Sequence, residues 1–455
     1  MINYNVEITN EKEYDFVVCG GGMTGFSAAV SAARNGVKTA IIEKAGCLGG
    51  NATSAGVCHL LGAKRFDGKT GQLTKLVGGM FDEIADALIK INAAVDPYTI
   101  DTDNNPHGWY AGLAEGVPFD PEQMKVLLDE FCVKAGVDIY YFTDIIDAKI
   151  DSNHVQYIIA HNKSGLFAVR AKLFADTTGD ADIAYLCGCP TVLGRDEDNL
   201  TAPASLEMHV ENVDREALAE YIKTNNTPRF RELILELREK GIWTFPYEIF
   251  IAVQLHRPDI FMINTIRQVG IDGTDGESVS RGMTEGRREN LALFEIMQKY
   301  FPGFANARIR SIAPVIGIRE TRRIIGRYIL TVDDLVTGKE IQDSVACSGY
   351  GWDLPDPKLP SYQPALEIKR KSQFTQIPYG CLLPKNINNL IFAGRCISVE
   401  RDVLGPIRVM GPCIAMGQAA GLASAIALRK NLNYPEIDVK ELQSEITKSG
   451  GIYKI

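Results

Sequence analysis

The chain has few of the residues from which metal centres, thiol-exchange sites and hydrolase triads are built. Six histidines are spread over 455 residues. His59, His107, His209 and His256 stand apart, and no H-E-x-x-H or C-x-x-C spacing offers a metal site. Ten cysteines are present, yet none are spaced for thiol exchange, and the closest pair, Cys187-Gly188-Cys189, reads as two buried thiols. No disulfide framework is expected, which suits a reducing cytoplasm. A G-x-S-x-G nucleophile elbow is also missing. The N-terminus, MINYNVEITNEKEYD, lacks the basic and apolar regions of a signal peptide. Basic charge is in deficit: 48 Lys and Arg against 57 Asp and Glu leave a net charge of −9. Such a field has no general attraction for nucleic acid or anionic lipid. Two uncharged stretches, Phe16 to Ala33 and Val409 to Leu428, are rich in Gly, Ala and Ser and are not read as membrane spans.

Glycine is abundant where it matters. DFVVCGGGMTGFSAAVSAARNGVKTAIIEK reads as strand, tight turn, helix and strand. Gly20-x-Gly22-x-x-Gly25 follows the apolar run Phe16 to Cys19 directly, and a helix from Thr24 to about Asn35 opens on it. Gly20 permits the turn, Gly22 lets backbone approach a pyrophosphate, and Gly25 lets helix and sheet pack closely. The helix N-terminus adds unpaired N–H groups for phosphate. Glu43 ends the second strand, where a carboxylate can accept hydrogen bonds from ribose hydroxyls. These elements together predict dinucleotide binding. LGGNATSAG (Leu48 to Gly56) then suits close backbone passage beside a second part of the cofactor. Far downstream, NNLIFAGRCIS reads as a buried strand ending in Gly394-Arg395, and GPCIAMGQAAGLASAIAL as a small-residue helix starting at Gly411-Pro412.

With these blocks in place, the chain resembles the FAD-dependent oxidoreductase family of the glutathione-reductase-like flavoproteins, which is distantly related to fumarate reductase. The carriers are DFVVCGGGMTGFSAA, IIEKAGCLGGNAT, FADTTGDADIA, GIRETRRIIGRYILT and LIFAGRCIS…GPIRVMGPCIAMGQAAG, spanning about Tyr14 to Arg429. The resemblance implies an α/β fold, with a Rossmann-like FAD-binding domain of glutathione-reductase type and an inserted α+β substrate or cap domain. It implies noncovalent FAD: the neighbourhood GCLGGN carries Cys47 and lacks the histidine through which fumarate reductases attach flavin. Gly20, Gly22, Met23, Thr24 and Gly25 would hold the pyrophosphate, and Glu43 with Lys44 the adenosine ribose. Leu48, Gly49, Gly50, Asn51 and Thr53 would pass the ribityl chain and ring. Thr178, Gly179 and Asp180 occupy a second cofactor-contacting strand end. Gly394, Arg395 and the helix start bearing Gly411, Met416, Gly417 and Gln418 would close over the ribityl chain and pyrimidine edge. A helix N-terminus there would stabilise the negative charge of reduced flavin. The block VERDV (Val399 to Val403) departs from the family's loop.

The text changes from Leu206 to about Phe374, so residues 206–374 are expected to form a substrate or cap domain between two cofactor segments, 1–205 and 375–455. Within it, GIRETRRIIGRY gathers Arg319, Arg322, Arg323 and Arg327. Three readings compete: a salt-bridge strip with Glu320, a nucleic-acid handle and an anion clamp. The clamp reading places Arg319 and Arg322 at the flavin cavity as catalytic residues, with His59 a further candidate, and leaves Arg323 and Arg327 structural. The function expected is hydride transfer to or from a small polar, anionic metabolite. The alternatives are an FAD-binding RNA-modification protein, or a flavoprotein subunit passing electrons to a partner protein. No second G-x-G-x-x-G marks a nicotinamide domain, so the electron donor or acceptor is unidentified.

Overall fold

The computed structural model describes residues 6–66, 73–96, 99, 116–227, 229–359, 368, 369, 371 and 374–455. Its main sheet begins with β1 (Glu11–Cys19), the crossover helix α1 (Met23–Arg34) and β2 (Thr39–Ile42). β3 (Asp138–Tyr140), β4 (Asp144–Asp151), β5 (His154–Asn162) and β6 (Gly165–Asp176) follow. β2 lies parallel to β1 with Phe16 opposite Thr39 and Cys19 opposite Ile42. Parallel neighbours need a crossover, and α1 supplies it. β3 extends the sheet beyond β2, and β6 runs parallel to β1 from Glu11↔Ala168 to Cys19↔Asp176.

The other edge of β6 is divided. Its first half pairs antiparallel with β5, which is itself paired with β4, while Phe174–Asp176 pair parallel with the strand Leu390–Phe392. Four of the parallel strands therefore end together, just before Gly20 (β1), Glu43 (β2), Thr177 (β6) and, for the last, Ala393-Gly394. In open α/β sheets ligands sit beyond such carboxyl ends.

The expected secondary structure holds with local differences. The helix Met80–Lys90 starts only after a short strand, Leu73–Lys75. Gly78 and Gly79 delay it: Gly79 has φ +61, and a Cβ on Gly78 would lie 2.4 Å from the Gly450 carbonyl oxygen. The helix Pro121–Ala135 is capped by Asp120. The uncharged stretch near the C-terminus is the helix Met410–Lys430, long and apolar enough to cross a membrane, with 94% of its most apolar window buried inside the fold. Its partner is α1. A Cβ on Gly417 would lie 2.1 Å from the Thr24 carbonyl oxygen, and one on Gly421 2.3 Å from that of Ala28. Ser27 Oγ donates to the Ile414 carbonyl at 2.8 Å, locking the two helices in register.

A second sheet joins β7 (Met208–Glu211), β8 (Ala252–Gln254), β9 (Phe261–Ile263) and β10 (Arg308–Ile312) in the order β8-β9-β7-β10, all antiparallel. It has its own aromatic core, including Phe230, Trp243, Phe250, Phe261, Phe301 and Phe304. Ile324, Leu330, Val345 and Trp352, later in the same region of sequence, pack instead with the main sheet.

The helix contact yields a stability test. Gly417→Ala forces a methyl against backbone that cannot rotate away, so it should cost about 1–3 kcal/mol, read from chemical denaturation. An unchanged midpoint would show that the helices can separate freely.

Candidate functional site

A cleft of about 600 Å³ opens at the carboxyl ends of the parallel strands. Of the residues expected to touch cofactor, Gly20, Gly22, Met23, Thr24, Glu43 and Lys44 line its first part. Gly49, Gly50 and Asn51 line the next, and Thr178, Gly179, Asp180, Gly394 and Arg395 complete the set. Gly22 is the N-cap of α1 and makes no side-chain cap, so the first-turn N–H groups keep their capacity for an anion. A Cβ on Gly22 would meet nothing within 4 Å, so the open space lies directly before the helix. Both oxygens of buried Glu43 accept backbone N–H groups, from Gly21 at 2.6 Å and Ala45 at 2.7 Å. The carboxylate is thereby fixed at the strand end with lone pairs to spare. This donor and acceptor set fits a dinucleotide pyrophosphate and ribose.

Other expected cofactor residues serve packing. Gly25 sits where a Cβ would lie 1.9 Å from the Gly20 carbonyl oxygen, which is the close helix–sheet approach expected of it. Leu48 is fully buried, and Thr53 Oγ1 donates to the Leu48 carbonyl at 2.6 Å. Gly411 packs on the Leu61 carbonyl and Gly417 on Thr24, while Met416 is in the core. Gln418 accepts from Met80 N–H and donates to the Ser449 carbonyl. None of Gly25, Leu48, Thr53, Gly411, Met416, Gly417 and Gln418 lines the cleft; at this helix it is lined by Met410 and Cys413. Cys47 lies beside Ser54, its Sγ 3.3 Å from Ser54 Oγ.

Asp180 and Arg395 form an ion pair of 2.8 Å in the cleft wall, and Thr321 Oγ1 bridges them. Burial presses Asp180 toward its neutral form, but Arg395 and Lys44 outweigh it and hold the carboxyl below its ordinary value.

The four arginines separate. Arg322 Nη1 bonds the Asp180 carbonyl and Asp182, and its guanidinium lies 4.3 Å from the Tyr185 ring centroid. Pairing of its strand with Thr191–Leu193 directs it to these partners, and Arg322 does not line the cleft. Arg323 bonds Glu320 and the Gly194 carbonyl, and Arg327 the Pro384 carbonyl. Arg401, from the divergent VERDV block, makes a bidentate pair with Glu320 at 2.9 and 2.8 Å. Glu320 is fully buried and also accepts Ala202 N–H.

Arg319 differs from the other three. It lines a smaller chamber of about 100 Å³, which shares Asn51, Ile318, Arg395, Arg408 and Met410 with the cleft. Its Nη1 donates to the Pro203 carbonyl and Ser205 Oγ at 2.7 and 2.8 Å, and its Nη2 to Asn264 at 3.2 Å. These partners are neutral, and Arg319 forms no ion pair among the described residues. Burial, then the charges of Arg267 and Arg408, push its guanidinium down to about 10.

His59 lines the same chamber and is buried, which pushes it down to about 3 and keeps it neutral at physiological pH. His209 and His256 line a different cavity, near Asp120 and Glu211, and His107 lies outside the described residues. All ten cysteines are free, and Cys187 and Cys189 are buried. No group of three or more His, Cys, Asp and Glu able to hold a metal occurs among the described residues.

Sequence reading missed three chamber residues, Glu207, Asp353 and Arg408. Arg408 pairs with Asp353 at 3.1 Å, and Tyr350 OH donates to the same carboxylate at 3.0 Å. Arg408 had a signal, since it lies within GPIRVMG. Glu207 and Asp353 stand in no pattern at all.

A βαβ unit whose glycine turn, strand-end acid and helix N-terminus surround one cleft defines a dinucleotide-binding α/β protein. Residues 15–446 match the model of the FAD dependent oxidoreductase family, and the chain belongs to that family. Dihydrolipoyl dehydrogenase of Trypanosoma brucei brucei is 54% identical over 43 residues, a match spanning 10% of this chain and 9% of that protein's length. A geranylgeranyl bacteriochlorophyll reductase-like protein from Thermoplasma acidophilum is similar in structure at a TM-score of 0.46 and 13% identity, over 97% of this chain and 85% of its own. The p-nitrophenol 4-monooxygenase of Pseudomonas putida gives 0.41 and 12%, over 96% and 84%.

Two outcomes check this site. Glu43→Ala should weaken FAD retention by about 1.5–3 kcal/mol, the worth of a charged hydrogen bond, in a fluorescence titration; unchanged affinity would remove Glu43 from the ribose. Glu320→Ala strands two guanidinium groups and should cost about 3–5 kcal/mol in denaturant unfolding, whereas a neutral effect would show that Arg323 and Arg401 find solvent.

Proposed function

We propose that FAD lies noncovalently along the cleft in the glutathione-reductase-type arrangement, and that a small anionic metabolite docks beside it on Arg319. The single observation that supports this reading is Arg319 itself, a half-buried guanidinium bonded only to neutral oxygens in a chamber that shares lining residues with the cofactor cleft. A guanidinium removed from bulk water favours an anionic partner, and its planar fork matches a carboxylate. FAD, when bound, supplies the means to accept or return a hydride.

The chain's own residues would do the rest. Gly20, Gly22, Met23 and Thr24 would bind the pyrophosphate at the start of α1, and Glu43 would orient the ribose. Asp180 and Arg395 would fix the cleft wall across which Thr321 ties the arginine segment. Ser205 and Asn264 would hold the Arg319 fork in one plane, and His59, neutral and buried, would exclude water from the chamber. Arg322 is reassigned from the clamp to a structural pair with Asp182. Residues 1–205 and 375–455 would form the cofactor domain, and the insert 206–374 would contribute its first part, through β10, as the cap. The electron donor or acceptor would be a separate molecule, and the protein would work in the cytoplasm.

Purified protein should be yellow and should release FAD into the supernatant on acid precipitation; flavin left in the pellet would overturn the noncovalent part. Arg319→Lys keeps charge and loses the fork, so turnover of carboxylate substrates should fall, by up to roughly a hundredfold for a misplacement of about 1 Å, with FAD content intact. Equal turnover by the lysine variant would overturn the clamp.

A further inference from the structure

Glu207 immediately precedes β7 and is 1% exposed, and it lines the Arg319 chamber. Its Oε2 is buried with no hydrogen-bond partner among the described residues, although Arg319 and Arg267 are its neighbouring cations. No ion pair joins Glu207 to either of them among the described residues. An orphaned carboxyl oxygen beside a guanidinium that bonds only neutral groups is a costly arrangement, because each could satisfy the other. It is consistent with a carboxyl that carries a proton and a guanidinium kept open.

We propose, resting on the Arg319 reading above, that the inner chamber is a carboxylate-binding site whose charge is set by the proton on Glu207. As the neutral acid, Glu207 leaves the Arg319 guanidinium open to a monocarboxylate; as the anion, it competes with that ligand.

The surrounding groups leave Glu207 as the one that titrates here near neutral pH. Burial pushes its carboxyl up to about 8, against the opposing pull of Arg319 and Arg267. Asp353 is pressed upward by burial, but Arg408, Arg319 and Arg267 hold it ionised, below its ordinary value. Tyr350 is pushed up by burial and by Asp353, and Cys58, on the neighbouring loop, by burial and then by Glu207. His59 stays neutral, and Arg395 is committed to Asp180. Below about 8, therefore, the chamber holds an uncompensated positive charge, and a carboxylate docks without displacing anything. Above it, docking must return a proton to Glu207, so affinity falls as pH rises.

The test titrates the FAD-loaded protein with acetate, following the flavin absorbance, with chloride at matched ionic strength as control. In the wild type, the acetate Kd should be flat at neutral pH and rise about tenfold per pH unit above the Glu207 titration. Glu207→Gln should bind acetate with no such break, and Arg319→Met should not bind it. Melting temperature gives a ligand-free reading. The folded-state shift from 4.5 to about 8 means that the wild type loses stability relative to Glu207→Gln as pH rises through that window, with a constant gap outside it. Arg319-dependent binding without a pH break, a break that survives in Glu207→Gln, or a melting gap that ignores pH would each overturn the Glu207 assignment and leave the Arg319 reading standing. No acetate binding by the wild type, or equal binding by Arg319→Met, would overturn both.

Discussion

The buried carboxylate of Glu320 is the contact around which the site is arranged. One oxygen is shared by Arg323 and Arg401, and the other by Arg401 and the Ala202 N–H. Three distant pieces of sequence thus meet at a single charge: the end of the first cofactor segment, the arginine segment that carries Glu320 itself, and the VERDV loop. Two cations and a backbone donor satisfy what burial would otherwise make prohibitive. With Glu320 fixed, its neighbours on the chain are fixed as well. Arg319 reaches the inner chamber and Thr321 reaches the Asp180–Arg395 pair, one on each side of it.

The sequence was most readable where local geometry alone decides. The glycine turn, α1, β2 and Glu43 follow from spacing that only a few backbone paths satisfy, and they are where they were expected. It was least readable where one pattern serves two ends. A run of small residues lets backbone approach either a ligand or another helix, and Gly417 and Gly421 turned out to meet α1. Met410 and Cys413, nearer the start of the same helix, line the cleft instead. The arginines pose the same ambiguity: in an extended segment the facing of each side chain is set by its partner strand, here Thr191–Leu193, and that pairing leaves no trace in GIRETRRIIGRY. Glu207 and Asp353 were beyond reach, since a lone acid acquires meaning only from what the fold packs around it.

The inner chamber shows how one small space can hold groups in opposed electrostatic states. Asp353 and Glu207 are both carboxyls in the same small space, yet Arg408 and Tyr350 bond the first while the second has an orphaned oxygen. The difference is one of partners and also of depth, since Glu207 is buried and Asp353 is partly exposed. Burial raises the cost of charge for both, and only Asp353 has a cation in direct contact.

The divided edge of β6 has a bearing on synthesis. Asn389 Nδ2 bonds the Lys172 carbonyl across 217 residues of sequence, and Ser27 reaches Ile414 across 387. The nucleotide-binding turn leaves the ribosome long before the strand and helix that wall its cleft. Until then α1 exposes a face of Gly, Ala and Ser with nothing to cover it. The nascent chain must therefore carry an unfinished half-site while the intervening residues are made, and the pairing that completes it closes a long loop, a slow step that leaves time for chaperone capture.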